Sequence, residues 1–106
     1  MLESKAKEKT KEFVMHIEFL AHRASDRLVH GFRGEETEKE FLQQIIAGTW
    51  HLFKHNEWVI GLENLISNLH EVDFKIDDKA IRLAKESIEA CGLNYNDWKF
   101  IEELRK

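Results

Sequence analysis

The chain contains no proline and only five glycines in 106 residues, so it is poor in the residues that break helices or shape tight hairpins. A β-rich fold is not expected. The single cysteine, Cys91, excludes an internal disulfide and suits a reducing cytoplasm. No stretch approaches the roughly 18 uninterrupted apolar residues of a membrane span. The amino-terminal MLESKAKEKTKEF alternates Lys and Glu where an export signal needs an apolar run. A cytoplasmic protein, neither secreted nor membrane-bound, is expected. A basic excess is missing too: net charge −4 and a pI near 5.9 disfavour a nucleic-acid binder and favour a cationic partner.

What is present suffices for a core. Apolar residues make up 42% of the chain and charged ones 34%, with three tryptophans. One domain of this length buries about 60–70% of its unfolded surface, so no metal or disulfide is needed to hold it. The periodicity is helical, most clearly from Glu57 to Phe74. There Trp58, Leu62, Leu65, Ile66, Leu69 and Val72 share one arc at about 100° per residue, a core face. Glu57, Gly61, Asn64, Asn68 and Glu71 form a polar ridge opposite.

The remaining elements are arranged around that stretch. Phe13, Ile17, Leu20, Ala21, Ala24 and Leu28 continue one stripe and predict a first helix over about 5–29, stopped by Gly31. HGFRGEE reads as a loop pinned by Phe32. Thr37 with Glu40 matches a capping box and starts a second helix. Its apolar face is Phe41, Leu42, Ile45, Ile46, Thr49, Leu52 and Phe53, with Trp50 to one side. Gly48 within it marks a close approach of another backbone or a slight bend. Asn56 is the expected N-cap of the third helix, with Glu57 in its first turn. Phe74 and Ile76 point inward, and Asp77 caps a fourth helix with Ala80, Ile81, Ala84, Ile88 and Cys91 on one side. Gly92 closes that helix in a left-handed cap. Asn94 or Asn96 introduces a short final helix, Asp97 to about Arg105, with Trp98, Ile101 and Leu104 inward. The expected fold is all-α: a single compact bundle of about five helices, one domain over 1–106.

Reactive chemistry is sparse. His51 and His55 have the i, i+4 spacing of two metal ligands but no third ligand in a motif, so two surface histidines explain them as well. Cys91 ends a helix, where the dipole disfavours a thiolate. No carboxylate lies inside an apolar stripe, where a general acid would need to be. The glycines form no phosphate-cradling loop, and Glu3, Glu8 and Glu12 offset the lysines at 5, 7, 9 and 11. Neither enzyme, cofactor, metal nor nucleic-acid partner is expected.

Charge is unevenly spread. From Glu57 to Asp78 the acids Glu57, Glu63, Glu71, Asp73, Asp77 and Asp78 stand against Lys75 alone, a local balance of −5. Such a surface would suit a cationic partner. The same residues also fit an ordinary wet helix face, with Asp73 and Asp77 as turn former and cap.

Glu57 and Trp58, the tetrapeptide Leu62 to Leu65, the run Asn68, Leu69, His70, Glu71, then Phe74, Ile76, Gly92, Leu93 and Trp98 carry a resemblance. In order and spacing this carboxyl-terminal half resembles the small immunity proteins of bacterial contact-dependent growth inhibition and the related MafI-type immunity proteins. The resemblance implies a non-enzymatic inhibitor of a toxin's carboxyl-terminal domain, a nuclease and an RNase before a DNase. Toxin-binding residues are then expected among Glu57, Glu63, Asn64, Asn68, Glu71, Asp73, Asp77 and Asp78, with Trp50 as an apolar centre. The alternative is a helical adaptor that binds a partner helix through an apolar groove.

Overall fold

In the 20 residues of α1 (Leu2–Ala21), Ala6, Phe13, Val14, Ile17, Leu20 and Ala21 form the buried face. The structure, a computed structural model, describes residues 2–31 and 34–106, with side chains from residue 5 onward. After α1 come two short antiparallel strands, β1 (Leu28–Gly31) and β2 (Gly34–Thr37), then α2 (Glu38–Lys54), α3 (Trp58–Glu71) and α4 (Asp78–Ala90). Two 3-10 segments, Tyr95–Asp97 and Lys99–Leu104, follow. The architecture is the helical bundle expected. α1 lies along α4 and α2 along α3, around a core in which Phe13, Leu42, Leu62, Leu65, Ile66, Leu69, Ile88 and Ile101 have no exposed surface.

The helix ends share one device. Asn56, Asp73 and Gly92 have positive φ, at 60°, 52° and 78°. Each sits one residue past its helix cap, and the amide after it donates back into the last turn: Glu57 to Leu52 O, Phe74 to Leu69 O and Leu93 to Ile88 O. A left-handed residue therefore closes α2, α3 and α4 without proline. Asn and Asp tolerate that region better than other non-glycine residues. At the other ends, Thr37 and Glu40 form the full capping box of α2, and the Asp77 carboxylate accepts the Ala80 amide of α4.

Several local expectations are corrected. α1 ends at Ala21, so Ala24 and Leu28 leave the helix and Leu28 is 64% exposed. The expected loop after it is instead a hairpin in register Leu28 with Thr37 through Gly31 with Gly34, and among its described residues only Val29 enters the core. Phe32, the expected anchor, lies outside the described residues. Asn56 is not the cap of α3: Glu57 holds that position and makes no side-chain cap bond. The expected final helix is two 3-10 segments, though Ile101 and Leu104 are fully buried as anticipated.

The two helical glycines exchange roles. Gly48 is exposed, and a methyl group added there would meet nothing within 4 Å. Gly61, placed on the polar ridge by its spacing, is buried where α3 crosses α2. A Cβ there would lie 2.9 Å from Cε1 of buried Phe53.

The Glu38 carboxylate is also withdrawn from water, against expectation. Glu38, 6% exposed, accepts from Arg27 Nε at 2.6 Å and from the Ser25 amide at 3.0 Å. Arg27 Nη2 continues to the Val72 carbonyl, and the Glu38 amide donates to Arg27 O at 2.8 Å. The cluster ties the link after α1, the first residue of α2 and the end of α3 together.

Gly48→Ala is expected to stabilise the fold by about 0.5–1 kcal/mol, the helix-interior difference between the residues. Gly61→Ala should destabilise it by about 1 kcal/mol, because overpacking costs of about 1–3 kcal/mol exceed that gain. Denaturant melts of both variants check the opposite signs. Arg27→Ala, which leaves Glu38 buried without its cation, should cost about 2–3 kcal/mol in the same melts. That is below the full penalty for breaking a buried pair, because Arg27 is itself half exposed.

Candidate functional site

The polar residues of α3 follow from its period. With Leu62, Leu65, Ile66 and Leu69 inward, Glu57, Ile60, Asn64, Ser67 and Glu71 are left exposed. Glu57 and Glu71 stand at opposite ends of that face, about 21 Å apart at the helical rise. Asn68 is half-buried, its Nδ2 donating to the Asn64 carbonyl at 2.8 Å. Glu63 is half-buried on another flank, near enough to Cys91 to act on the thiol. Trp50, on α2, borders concavities shared with Asn56 and α1 and does not meet the Glu71–Asp78 group.

Ion pairs divide the acidic residues. Asp73 meets Lys75 Nζ at 3.0 Å, and Asp78 meets Arg105 Nε at 3.1 Å, both largely exposed. Asp77 is turned toward α1, where His16 Nε2 lies 2.9 and 3.0 Å from its two oxygens. Among the described residues Glu57, Glu63 and Glu71 make no ion pair.

The pairing has a cause outside the acidic run. Leu104 O accepts the Ile76 amide at 2.8 Å, and Ile76 O accepts the Lys106 amide at 3.1 Å, a parallel bridge. It brings Arg105 and Lys106 to the start of α4, where Lys106 also lowers the Asp77 pKa. The −5 of the linear run is therefore partly neutralised by residues nearly thirty positions away. Asp73 and Asp77 have the structural roles of helix-closing and helix-capping residues. Glu57, Glu63 and Glu71 remain as the carboxylates available to a cationic partner.

A second set of side chains converges although no linear motif announces it. Lys7 and Lys11 of α1, with Trp50, Phe53 and Lys54 of α2 and Asn56, line a concavity of 500 Å³. Trp50 also borders one of 340 Å³ lined by Glu18, Ala21, His22, Lys39, Gln43, Ile46 and Ala47. The signal was present as two stripes: Lys7, Lys11, Glu18 and His22 at i, i+4, i+11 and i+15, and Lys39, Gln43, Trp50 and Lys54 at the same offsets. The sequence alone could not show that they face each other. Elsewhere on α1, Met15 and Phe19 are 60% and 55% exposed, with Arg23 over the Phe19 ring at 5.6 Å.

Among the described residues no group of three or more His, Cys, Asp or Glu could hold a metal ion. His51 and His55 lie ring to ring at 4.7 Å as a pair. Cys91 is half-buried, and burial pushes its thiol upward in pKa, against nucleophilic use. Burial, with a hydrogen bond to Glu102 at 2.6 Å, likewise raises Tyr95. No described helix is long and apolar enough to cross a membrane. No protein-family model, curated protein or solved structure matches the chain.

Asp77 generates a pH dependence. Burial alone would raise its pKa, but the Ala80 amide and His16 outweigh that and hold it below the ordinary carboxylate value. A depressed acid contributes stability that is present above the unfolded pKa, about 3.9, and is lost as pH falls through the folded value. Asp77→Asn keeps an acceptor for Ala80 and removes the charge facing His16. Wild type should be the more stable at neutral pH, with the difference shrinking below about pH 4 in paired melts.

Proposed function

We propose that the chain is a protein-binding inhibitor of the immunity type, which neutralises the carboxyl-terminal toxin domain of a contact-dependent inhibition effector. A nuclease is the favoured target, an RNase before a DNase. The observation that carries this reading is the exposed face of α3 running from its cap Glu57 to Glu71, with Glu63 on a neighbouring flank, none of which a cation of the chain itself pairs among the described residues. A nuclease groove must be cationic to hold phosphates, and fixed carboxylates on a rigid helix are steered toward such a groove. The resemblance over Glu57–Trp98 supplies the biological context. A helical adaptor is the second reading, favoured by the exposed Met15 and Phe19 one helical turn apart.

Co-expression with the toxin domain encoded beside this chain is expected to restore growth and to yield a co-purifying complex. Survival without a complex, or a complex without survival, would count against inhibition by binding. Glu57→Lys with Glu71→Lys should weaken that complex about tenfold or more, equivalent to about 1.4 kcal/mol, with helical circular dichroism unchanged. Asp73 is unsuited to the test, since its positive φ makes lysine there a backbone perturbation as well as a charge reversal. Binding through α3 should weaken as salt rises. An adaptor held by Met15 and Phe19 should be nearly indifferent to it.

A further inference from the structure

The surface between α1 and α2 has the opposite character from α3. The two concavities that meet at Trp50 form one trough, bounded by Lys7, Lys11, Glu18 and His22 on α1 and by Lys39, Gln43 and Lys54 on α2. From Lys7 to His22 it runs about 23 Å, the length of roughly four helical turns. Four lysines stand there against Glu18 alone, a local +3 in a chain of net −4. None of the four makes an ion pair among the described residues, and Lys7 lies 6.0 Å above the Trp58 ring.

Charge and apolar surface are arranged in order along the trough. Lys7, Lys11 and Lys54 gather at one end, and Lys39 with His22 marks the other. Between them lie half-buried Trp50, set edge-on to Phe53 at 5.4 Å, exposed Ala47 and the edges of the largely buried Ala21 and Ile46. Met15 and Phe19 line neither concavity.

We infer that this trough docks an acidic amphipathic helix of a partner protein, with carboxylates toward its two ends and apolar side chains over Trp50 and Ala47. Charge complementarity selects the occupant. A helix offers carboxylates at chosen positions and apolar anchors between them, matching lysines at the ends and an apolar middle. A nucleic-acid strand carries a phosphate at every step, so it would meet Glu18 and an aliphatic floor where it needs cations. Lys54 and Lys39 also emerge from α2 near its two ends, so a helix lying along α2 spans both. The inference goes beyond the toxin-inhibitor reading and does not rest on it.

The probe is a synthetic acidic amphipathic peptide of about 16 residues, matched to the trough at the helical rise, with Glu and Asp at both ends and Leu along one face. It is titrated against the full chain by calorimetry, beside a charge-neutral peptide of the same apolar residues and a single-stranded oligonucleotide of equal charge. The acidic peptide should bind. Lys7→Glu with Lys54→Glu should weaken it tenfold or more, and Trp50→Ala should weaken it as well. Glu71→Lys, at the end of α3 far from Asn56 and Trp58, should leave it within twofold. Because Trp50 also packs on the core, the surface lysine pair carries the decision should the tryptophan variant fail to fold. Failure of the acidic peptide to bind, indifference to the lysine changes, equal affinity of the neutral peptide, or tighter binding of the oligonucleotide would each overturn the inference.

Discussion

A carboxylate removed from water must be surrounded by donors, and Glu38 sets that requirement at the centre of this fold. It accepts from Arg27 and Ser25, and Arg27 extends to the carbonyl that ends α3. The segment leaving α1, the start of α2 and the end of α3 are thereby held to one point. Among the described residues of the small hairpin only Val29 joins the core, and the Glu38 amide bond to Arg27 O ties the base of the hairpin to the same point. With these ends fixed, α2 can approach α3 closely enough for Phe53 to occupy the notch at Gly61. The α1–α4 pair is fixed separately. The Ser87 hydroxyl reaches Lys9 O at 2.9 Å, and His16 meets Asp77.

Features governed by near neighbours were legible in the chain. The Thr37–Glu40 capping box, the Asp77 cap, the left-handed Gly92 and the core face of α3 each require only a few consecutive residues. The end of α1 was not legible, because Ala24 and Leu28 continue its apolar stripe although the chain turns away after Ala21. The hairpin was hidden because GEET carries no apolar alternation. Asn56 illustrates a subtler failure: a residue suited to capping the next helix instead closes the previous one in the left-handed region. Gly61 has the spacing of a polar-ridge position, and only the path of α2 reveals why no side chain is present there.

The candidate surfaces were half legible for the same reason. A window over Glu57–Asp78 counts carboxylates correctly but cannot see Arg105 and Lys106 arriving through the bridge at Ile76. Likewise, the alternating Lys and Glu of the first helix look self-cancelling in a linear count. Folding sorts them around the helix, leaving Lys7 and Lys11 in one groove while Lys9 turns to Glu12 and Glu86. The result is a small molecule with acid on α3 and base between α1 and α2, a separation that net charge conceals.

The notch at Gly61 has an evolutionary consequence. The space a Cβ at 61 would need is taken by the Phe53 ring, so substitutions at the two positions are constrained jointly. In a descendant chain, alanine at 61 would be tolerated mainly alongside a smaller side chain at 53, and a bulky ring at 53 would hold 61 to glycine. Gly48, open to solvent on the same bundle, is under no such bond and is free to drift alone.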